Sequence, residues 1–387
     1  MMKLTCEKRR LEEAVMACAR AINPRSPLPI LSHLLFEAKE NQVKITATDL
    51  DVGMSIKLEA DVIEPGSITC PARLTQDIVS KFPAGVVEMN TMAEGRMLLS
   101  CGNSKFELST LPAEEFPSLP DLDNETNSAQ LPQASLKAAI KQVAVAAASS
   151  QDESRAVMTG ISLSLEDGTL TLVATDGRRL ACARKSVDVP LVGEEKLAVV
   201  VPARALIELS RLIESEGDVS LRVGKSQAFF KFDHFSLHCR LLEGRFPDYT
   251  KVVPTSFNRM CRIGRDDFIQ ALKRMLVVAQ EKRSPNLIRL RFSEDTLGLS
   301  ANTPDLGSGE EKLPVVFEGD SLTIGFNGKY LVDGLAVLDT EEIQFDLQEE
   351  TKSAVIRPLA DTTYDYVVMP VKLRDVAEDF DRETVSV

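Results

Sequence analysis

A chain of 387 residues is too long for one ordinary compact domain and implies two or three. Its formal net charge of -13 excludes a protein that coats itself in nucleic acid, though not one that keeps a basic patch on an acidic shell. The cysteines Cys6, Cys18, Cys70, Cys101, Cys182, Cys239 and Cys261 are odd in number and lack C-x-x-C spacing. That pattern points to reduced thiols in a cytoplasmic protein, against a disulfide frame or a zinc site. The charged start MMKLTCEKRRLEEAV does not read as a signal peptide, and no run reaches the roughly 20 apolar residues of a membrane span.

In chain order, a first helix is expected over EKRRLEEAVMACARA, then strands over VKITATDL and SITCPA, with a second helix following the Pro-Ala-Arg of ITCPARLTQDIVSKF (68–82). Strands over RMLLSC and KFELSTL follow. The segment 118–135 is rich in Pro, Ser, Asn and Asp and reads as a linker. The same order then returns. It has a helix at 135–149, strands over ISLSLE and LTLVATD, and a Pro-Ala-Arg helix in VVVPARALIELSRLI (199–213), followed by strands over AFFKFD and FSLHCRL. After a shorter linker at 252–260 comes a helix at 265–280. Strands RLRFS, SLTIGF and IQFDLQ and a third copy of the second helix, IGFNGKYLVDGLAVL (324–338), complete the series.

The strand-end landmarks Ala47-Thr48-Asp49, Ala174-Thr175-Asp176 and Ala301-Asn302-Thr303 recur at a constant interval, because 174 − 47 and 301 − 174 both equal 127. Several ordered landmarks in one phase mark an internal repeat. The chain is therefore expected to be α+β, with one mixed unit used three times: residues 1–127, 128–257 and 258–373. The remainder, 374–387, is acidic, lacks apolar periodicity and reads as a disordered tail.

The helices carry cations away from their apolar stripes. In helix 135–149 Leu136, Ile140, Val143 and Ala147 form the stripe, with Lys137 and Lys141 on another face. In 203–214 the stripe is Leu206, Leu209 and Ile213, opposed by Arg204, Glu208 and Arg211. In 265–280, Lys273 and Arg274 face away from Phe268, Leu272, Leu276 and Ala279, with Arg283 beyond. Such stripes are ordinarily solvated faces. The functional reading is a set of cations that hold phosphates without reading bases.

Catalytic chemistry is hard to place. His234 and His238 have metal-ligand spacing only on a helix, and the alternation there reads as strand, so no metal or cofactor is expected. The common nucleotide-binding, hydrolase and zinc-protease motifs are lacking. Asp49 and Asp176 read as turn-forming residues that bond their own backbone, rather than catalytic acids. An enzyme on a repeated α+β scaffold remains the alternative in another class, and it would need a titratable cluster in one cleft.

The segments LPILSHLLFEA (28–38), ITATDLDVGMSI (45–56), CPAR (70–73), KFELSTLPAEEFPSLP (105–120), VATDGRRLA (173–181), LLEGRFPDYTKVVP (241–254) and YVVMPVKL (366–373) carry a resemblance over about residues 3–373. In that order they resemble the bacterial sliding clamps, the beta-subunit family of DNA polymerase III. The resemblance implies head-to-tail homodimers of three-domain protomers. Six domains close a ring around double-stranded DNA, with helices lining the hole and sheets outside. It implies a processivity factor with no catalytic residue of its own, or a clamp-like paralogue that binds partners without supporting replication.

Residue by residue, the resemblance assigns DNA contact to Arg25, Arg73, Arg204 and Arg211, with Lys137 and Lys141 added by geometry. Glu13 departs from an expected basic residue. A groove for short Gln-Leu-x-Leu-Phe-like peptides of the replicative polymerase, the clamp loader and repair proteins is implied between the second and third domains. Its deep part would be Thr175, Gly177, Arg178, Arg179, Leu180, Pro247, Val252, Val367 and Met369. Its shallow part would be Arg155, Met158, Asn327, Tyr330, Ser353, Pro370 and Val371. Arg178 stands where His is common and Val157 where an aromatic is common. Phe106 and Leu108 are expected to meet Val277 and Val278 of a second copy. The tail begins beside the groove and is a candidate to cover it.

Overall fold

The computed structural model describes all residues except 1, 24–25, 94, 120–126, 150–151, 188, 190, 194, 281–285, 305 and 374–387. Arg25, Arg283 and the expected disordered tail lie outside the described residues. The chain divides into two compact units. The first comprises Met1–Ile140, Leu163–Leu170 and Ser186–Gly244, and the second Lys141–Ser162, Thr171–Lys185 and Arg245–Val387. The middle repeat is thus split between them.

The repeat is visible in the elements. Strands His33–Lys39, Gly160–Glu166 and Leu287–Ser293 start 127 residues apart, at 33, 160 and 287, as do Gln42–Thr48, Thr169–Thr175 and Thr296–Thr303 at 42, 169 and 296. Among the described residues six α-helices recur in pairs: α1 (Lys8–Ala19), α2 (Ala72–Lys81), α3 (Gln133–Val143), α4 (Ala203–Leu212), α5 (Arg265–Leu276) and α6 (Gly328–Ala336). Each buries an apolar stripe, such as Leu11, Val15 and Cys18 on α1 or Phe268, Leu272 and Met275 on α5. Helices α3 and α5 stop four or more residues short of their sequence patterns, at Val143 and Leu276. The Ala-rich run after Val143 leaves α3 because the Ala148 amide is taken by the Met158 carbonyl at 2.9 Å. After Leu276 the amides of Val277 and Val278 bond three residues back, to Arg274 and Met275.

In the first unit, an eight-stranded sheet runs in the order 127–132, 218–223, 227–232, 235–240, 52–59, 42–48, 33–39, 66–71. Its middle is a seam between repeats: Phe235–Arg240 of the second pairs antiparallel with Val52–Glu59 of the first, with His238 opposite Gly53. The second unit contains the equivalent seam. There Tyr364–Val368 pairs antiparallel with Arg179–Ser186, with Val367 opposite Leu180. Gly53 and Leu180 are 127 residues apart (180 − 53) and His238 and Val367 are 129 apart (367 − 238), so the seams pair equivalent strands, the last strand of the third repeat coming two residues later in the chain. Each seam takes the last strand of one repeat and the fourth-strand equivalent of the preceding one. Two strands of these kinds are left as sheet edges: Ser104–Ser109 of the first repeat and Gly307–Pro314 of the third.

The strand-end aspartates form turns, as their sequence context implies. The Asp49 carboxylate accepts from the amides of Asp51 (3.2 Å) and Val52 (2.8 Å), and that of Asp176 from Arg178 (2.8 Å) and Arg179 (3.0 Å). The next residue takes a left-handed conformation in both, φ 81° at Leu50 and 83° at Gly177. In the third copy that position is Pro304, whose ring fixes φ near -65°. The turn differs there, and the Thr303 hydroxyl donates to the Val278 carbonyl instead (2.5 Å).

All seven cysteines are free and buried, and burial pushes the thiols of Cys6, Cys239 and Cys261 up to about 12. They pack as small apolar side chains. His238 is buried too, on the strand anticipated from the alternation, and its ring stacks on Phe229 with centroids 5.9 Å apart. Burial, together with Lys44 and against the pull of Asp49, holds its pKa down to about 4. A depressed folded-state value means that the unfolded chain binds more protons between the ordinary histidine value of about 6.5 and about 4. Stability should therefore fall as pH drops through that window, by at most about 3 kcal/mol from this residue. Comparing unfolding midpoints at pH 7 and pH 5 for the parent and His238→Phe checks this. An equal acid loss in both proteins would refute it.

Candidate functional site

The second seam carries the candidate site. On one face of this sheet, Val173, Leu180, Cys182, Val355 and Val367 form a buried apolar floor. Four side chains of the segment after Gly244 pack against it: Phe246, Tyr249, Val253 and Phe257. These four are absent from the sequence-based set. Their signal was a linker unusually rich in apolar residues around Pro247 and Pro254, which a solvated connection does not need.

The floor is the expected deep part only in one sense. Leu180 and Val367 are core, whereas Val252 and Met369 are 45% and 50% exposed. Exposed apolar atoms beside a buried floor suit a peptide side chain better than more core does. Pro247 is half-buried between Phe246 and Tyr249, and Arg178 is exposed. The Met369 amide bonds the Arg178 carbonyl at 2.9 Å, which places the Met beside that cation.

The rim is held by a charge network. The Arg179 side chain is 11% exposed and lies 4.3 Å over the Tyr330 ring. It donates to Asp176 (3.1 Å), Asp333 (2.8 Å) and the Tyr366 hydroxyl (3.5 Å). Burial works against its charge, but Tyr366, Asp333 and Asp176 outweigh burial and the net shift is upward. Arg155 donates to the Asp176 carbonyl (2.8 Å) and pairs with Asp152. Gly177 takes its positive φ without strain, and a Cβ added there would sit 3.2 Å from the Arg155 guanidinium, which would have to shift slightly. Thr175 closes the same turn by donating to the Arg179 carbonyl at 2.7 Å.

The other expected shallow positions are half-buried on neighbouring elements. Met158 lies on the turn that carries Arg155, and Ser353 precedes the strand Ala354–Pro358. Asn327 caps α6 by accepting from the Lys329 amide (3.0 Å), Pro370 follows Met369, and the Val371 amide bonds the Gly325 carbonyl (2.8 Å). Further along the sheet face, Arg184 and Arg357 share Asp365 (2.7 and 2.6 Å), and Arg357 also holds Asp346 (2.5 Å). Arg357 lies 5.5 Å from the Phe257 ring centroid, which pins one end of the covering segment.

The first seam differs from the second at the same place. Where the second seam has Leu180 and Val367, the first has Gly53 and His238. The imidazole lies directly on Gly53, filling the volume a side chain would occupy there.

The expected DNA-facing cations divide into two kinds. Arg73, Lys137 and Lys141 are exposed on their helices, although the Lys137 ammonium donates to the Ile213 carbonyl (2.7 Å). Arg204 is instead tied down. It pairs with Asp49 and donates to the carbonyls of Arg20, Ala21 and Ile22 at 3.1, 3.1 and 3.3 Å. A cation there satisfies carbonyls left open by the end of α1. Glu208 is buried, contrary to its place in the expected polar stripe, because it lies against Arg211 (2.5 Å) and Arg20 (3.6 Å). Arg274 is likewise engaged, by Glu311 (2.9 Å). Glu13 pairs with Arg9 (3.1 Å). Among the described residues, no group of three or more His, Cys, Asp or Glu side chains is placed to hold a metal, and no helix is long and apolar enough to cross a membrane.

Of the residues expected between two copies, Phe106 is partly exposed and packs on Phe82 (5.7 Å), and Val277 is 67% exposed. Val278 is half-buried beside Gly309 of the open edge. Leu108 is 2% exposed and packs in the core of its own unit, whereas Phe106, two residues earlier on the same face of the edge strand, stays open to solvent.

Comparison with known proteins gives one consistent result. Three family models match in succession: the N-terminal (2–120), central (130–248) and C-terminal (250–372) domains of the DNA polymerase III beta subunit. The beta sliding clamp of Pseudomonas aeruginosa is 34% identical over 375 residues, covering 96% of this chain and all of that protein. The Synechocystis beta sliding clamp is 33% identical with the same coverage. Among solved structures, a sliding clamp from Bacillus subtilis superposes with a TM-score of 0.89 at 29% identity, and the P. aeruginosa beta subunit with 0.88 at 32%. Both are covered completely by 96% of this chain.

Proposed function

Since the chain belongs to the DNA polymerase III beta subunit family, with its three-domain fold and sliding-clamp role, we propose that two copies close head to tail into a six-domain ring around duplex DNA. The observation that supports this most directly is the repeated seam. The second and third repeats each give a last strand to the one before, and the two strands of these kinds left over are the first repeat's Ser104–Ser109 and the third's Gly307–Pro314. An open edge is a liability unless paired, and a second copy supplies the missing partner twice. In this reading domains 1–127, 128–257 and 258–373 follow one another around the ring, helices inside and sheets outside.

The ring explains the charge. A net charge of -13 keeps the shell from sticking to nucleic acid, while Arg25, Arg73, Lys137, Lys141 and Arg211 meet phosphates inside. Arg204, spent on Asp49 and the end of α1, acts there by positioning the segment that leads to Arg25. Topology holds the ring on DNA, so weak contacts without base readout suffice. The groove on the second seam receives Gln-Leu-x-Leu-Phe-like peptides of the replicative polymerase, clamp loader and repair proteins. The chain acts in the cytoplasm as a processivity factor with no catalysis of its own.

Primer extension on circular primed DNA with clamp loader and polymerase tests this. Added protein should lengthen products per binding event, and linearising the template should abolish the gain as rings slide off the ends. Unchanged product length on circles would reject the proposal. Closure is tested by Val277→Asp. Because the side chain is largely exposed, the protomer's thermal midpoint should hold. Burying an uncompensated carboxylate between copies costs several kcal/mol, so dimerisation should weaken about a hundredfold or more. A dimer mass persisting at low micromolar concentration would sink the assignment.

A further inference from the structure

Resting on the ring reading, in which α1 and α4 face the hole, we propose that Arg20 and Arg211 form one phosphate-binding fork at the joint of the first two repeats, positioned by Glu208. The ligand is the sugar-phosphate backbone of duplex DNA, held without base readout. Arg20 is the C-cap residue of α1, where a cation ordinarily does no more than offset the helix dipole.

The geometry gives it a second use. Glu208 of α4 is buried, its side chain 12% exposed, while the guanidiniums on either side stay open, Arg20 at 39% and Arg211 at 52%. Arg211 spends one N–H on Oε1 of that carboxylate, at 2.5 Å. Arg20 Nη1 stays 3.6 Å from Oε2, an ion pair too long for a hydrogen bond, and Oε2 has no hydrogen-bond partner among the described residues. No other contact among the described residues takes an N–H of the Arg20 guanidinium. Each guanidinium carries five donors in a planar fork that matches phosphate oxygens. One carboxylate therefore holds two forks together with most of their donors unspent.

Comparison with the second unit shows that the charge here is surplus. Glu208 and Asp333 occupy the same helix position, each six residues after its N-cap, Pro202 or Asn327 (208 − 202 and 333 − 327). Asp49 and Asp176 begin equivalent turns. In the second unit the two carboxylates share one arginine, Arg179. The corresponding residue of the first repeat is Val52 (179 − 127), and the two acids there draw three arginines: Arg204 on Asp49, and Arg20 and Arg211 on Glu208. One frame thus leaves an excess negative charge in the second unit and an excess positive charge in the first. Neutralising two buried acids needs two cations. The third is free to serve an anion from outside, and the half-open pair on Glu208 is where it lies.

The test is binding of the full-length protein to a short fluorescent duplex open at both ends, which can thread the ring, followed as salt is raised. Each phosphate contact adds about 0.9 to the slope of log affinity against log salt, so at about 0.1 M salt its loss weakens binding about eightfold. Arg20→Gln, which keeps a polar group beside Glu208, should weaken binding about 5- to 10-fold and flatten the slope by about one. Arg20→Lys should keep the parental slope but bind about threefold more weakly, because an ammonium lacks the fork. Glu208→Gln separates positioning from charge. If the carboxylate only offset the arginines, its removal would tighten binding; as the positioning residue, its loss should weaken binding about threefold. Parental affinity and slope in Arg20→Gln, parental affinity in Arg20→Lys, or tighter binding by Glu208→Gln would overturn the fork while leaving the ring intact. A parent that does not bind the duplex would overturn the ring reading and this inference together.

Discussion

Gly53→Ala is expected to lower the apparent melting temperature more than any other single methyl addition to the first unit. A Cβ built on Gly53 would lie 1.7 Å from Cε1 of His238, 2.5 Å from Nε2 and 2.7 Å from Nδ1. No rotation about one bond clears three ring atoms, and Phe229 stacks on the same imidazole. Overpacking typically costs about 1–3 kcal/mol, and this geometry puts the effect at about 3 kcal/mol or more. The loss falls at a seam between repeats, so the first thermal transition should move. His238→Ala alone leaves a cavity, but the double variant Gly53→Ala/His238→Ala should be better than additive by about 1.5 kcal/mol or more, since one change makes room for the other. A Gly53→Ala midpoint equal to the parent's would show that the ring does not rest on that glycine.

The second large effect is expected at Arg179. Its guanidinium serves two carboxylates, a phenol hydroxyl and an aromatic face at once. Arg179→Met keeps much of the stem but strands Asp176 and Asp333. Breaking a buried pair costs about 3–5 kcal/mol, and the 30% exposure of Asp333 discounts this to about 2–4 kcal/mol. Arg179→Lys should recover little, because an ammonium cannot reproduce the planar fork and the stacking on Tyr330. Peptide affinity at the groove should fall about tenfold or more in both variants, because the turn 175–179 presents Gly177 and Arg178. Adding Asp333→Asn to Arg179→Met should return part of the stability. Full thermal stability and unchanged peptide binding in Arg179→Met would show the network to be incidental.

Much of the site's surroundings was legible beforehand for an identifiable reason. Alternation of side chains reports strands, helical spacing reports buried stripes, and Asp after a strand reports a turn. All of these are local, and VKITATDL, RMLLSC and the Asp176 turn obey them. Side chains whose surroundings differ from those their local sequence suggests share a cause too. Glu208 looks like an exposed acid in its own helix and is buried by what the end of α1 brings to it. Arg204 looks like a free cation and is consumed by Asp49, which lies 155 residues earlier. Leu108 looks available to a second copy and is claimed by its own core. In each case a partner distant in sequence decided the outcome.

By itself, the sequence determined that one α+β unit occurs three times, with landmarks 127 residues apart, because period and turn chemistry are written locally in every copy. Tertiary structure alone decided how the copies join. The seam register, the two edges left open and the partners of Arg179 all depend on strand pairings between distant segments, which no local pattern encodes. It also decided why two seams built from equivalent strands differ. His238 lies on Gly53 in the first, whereas in the second Leu180 and Val367 form an apolar floor on which Phe246, Tyr249, Val253 and Phe257 pack.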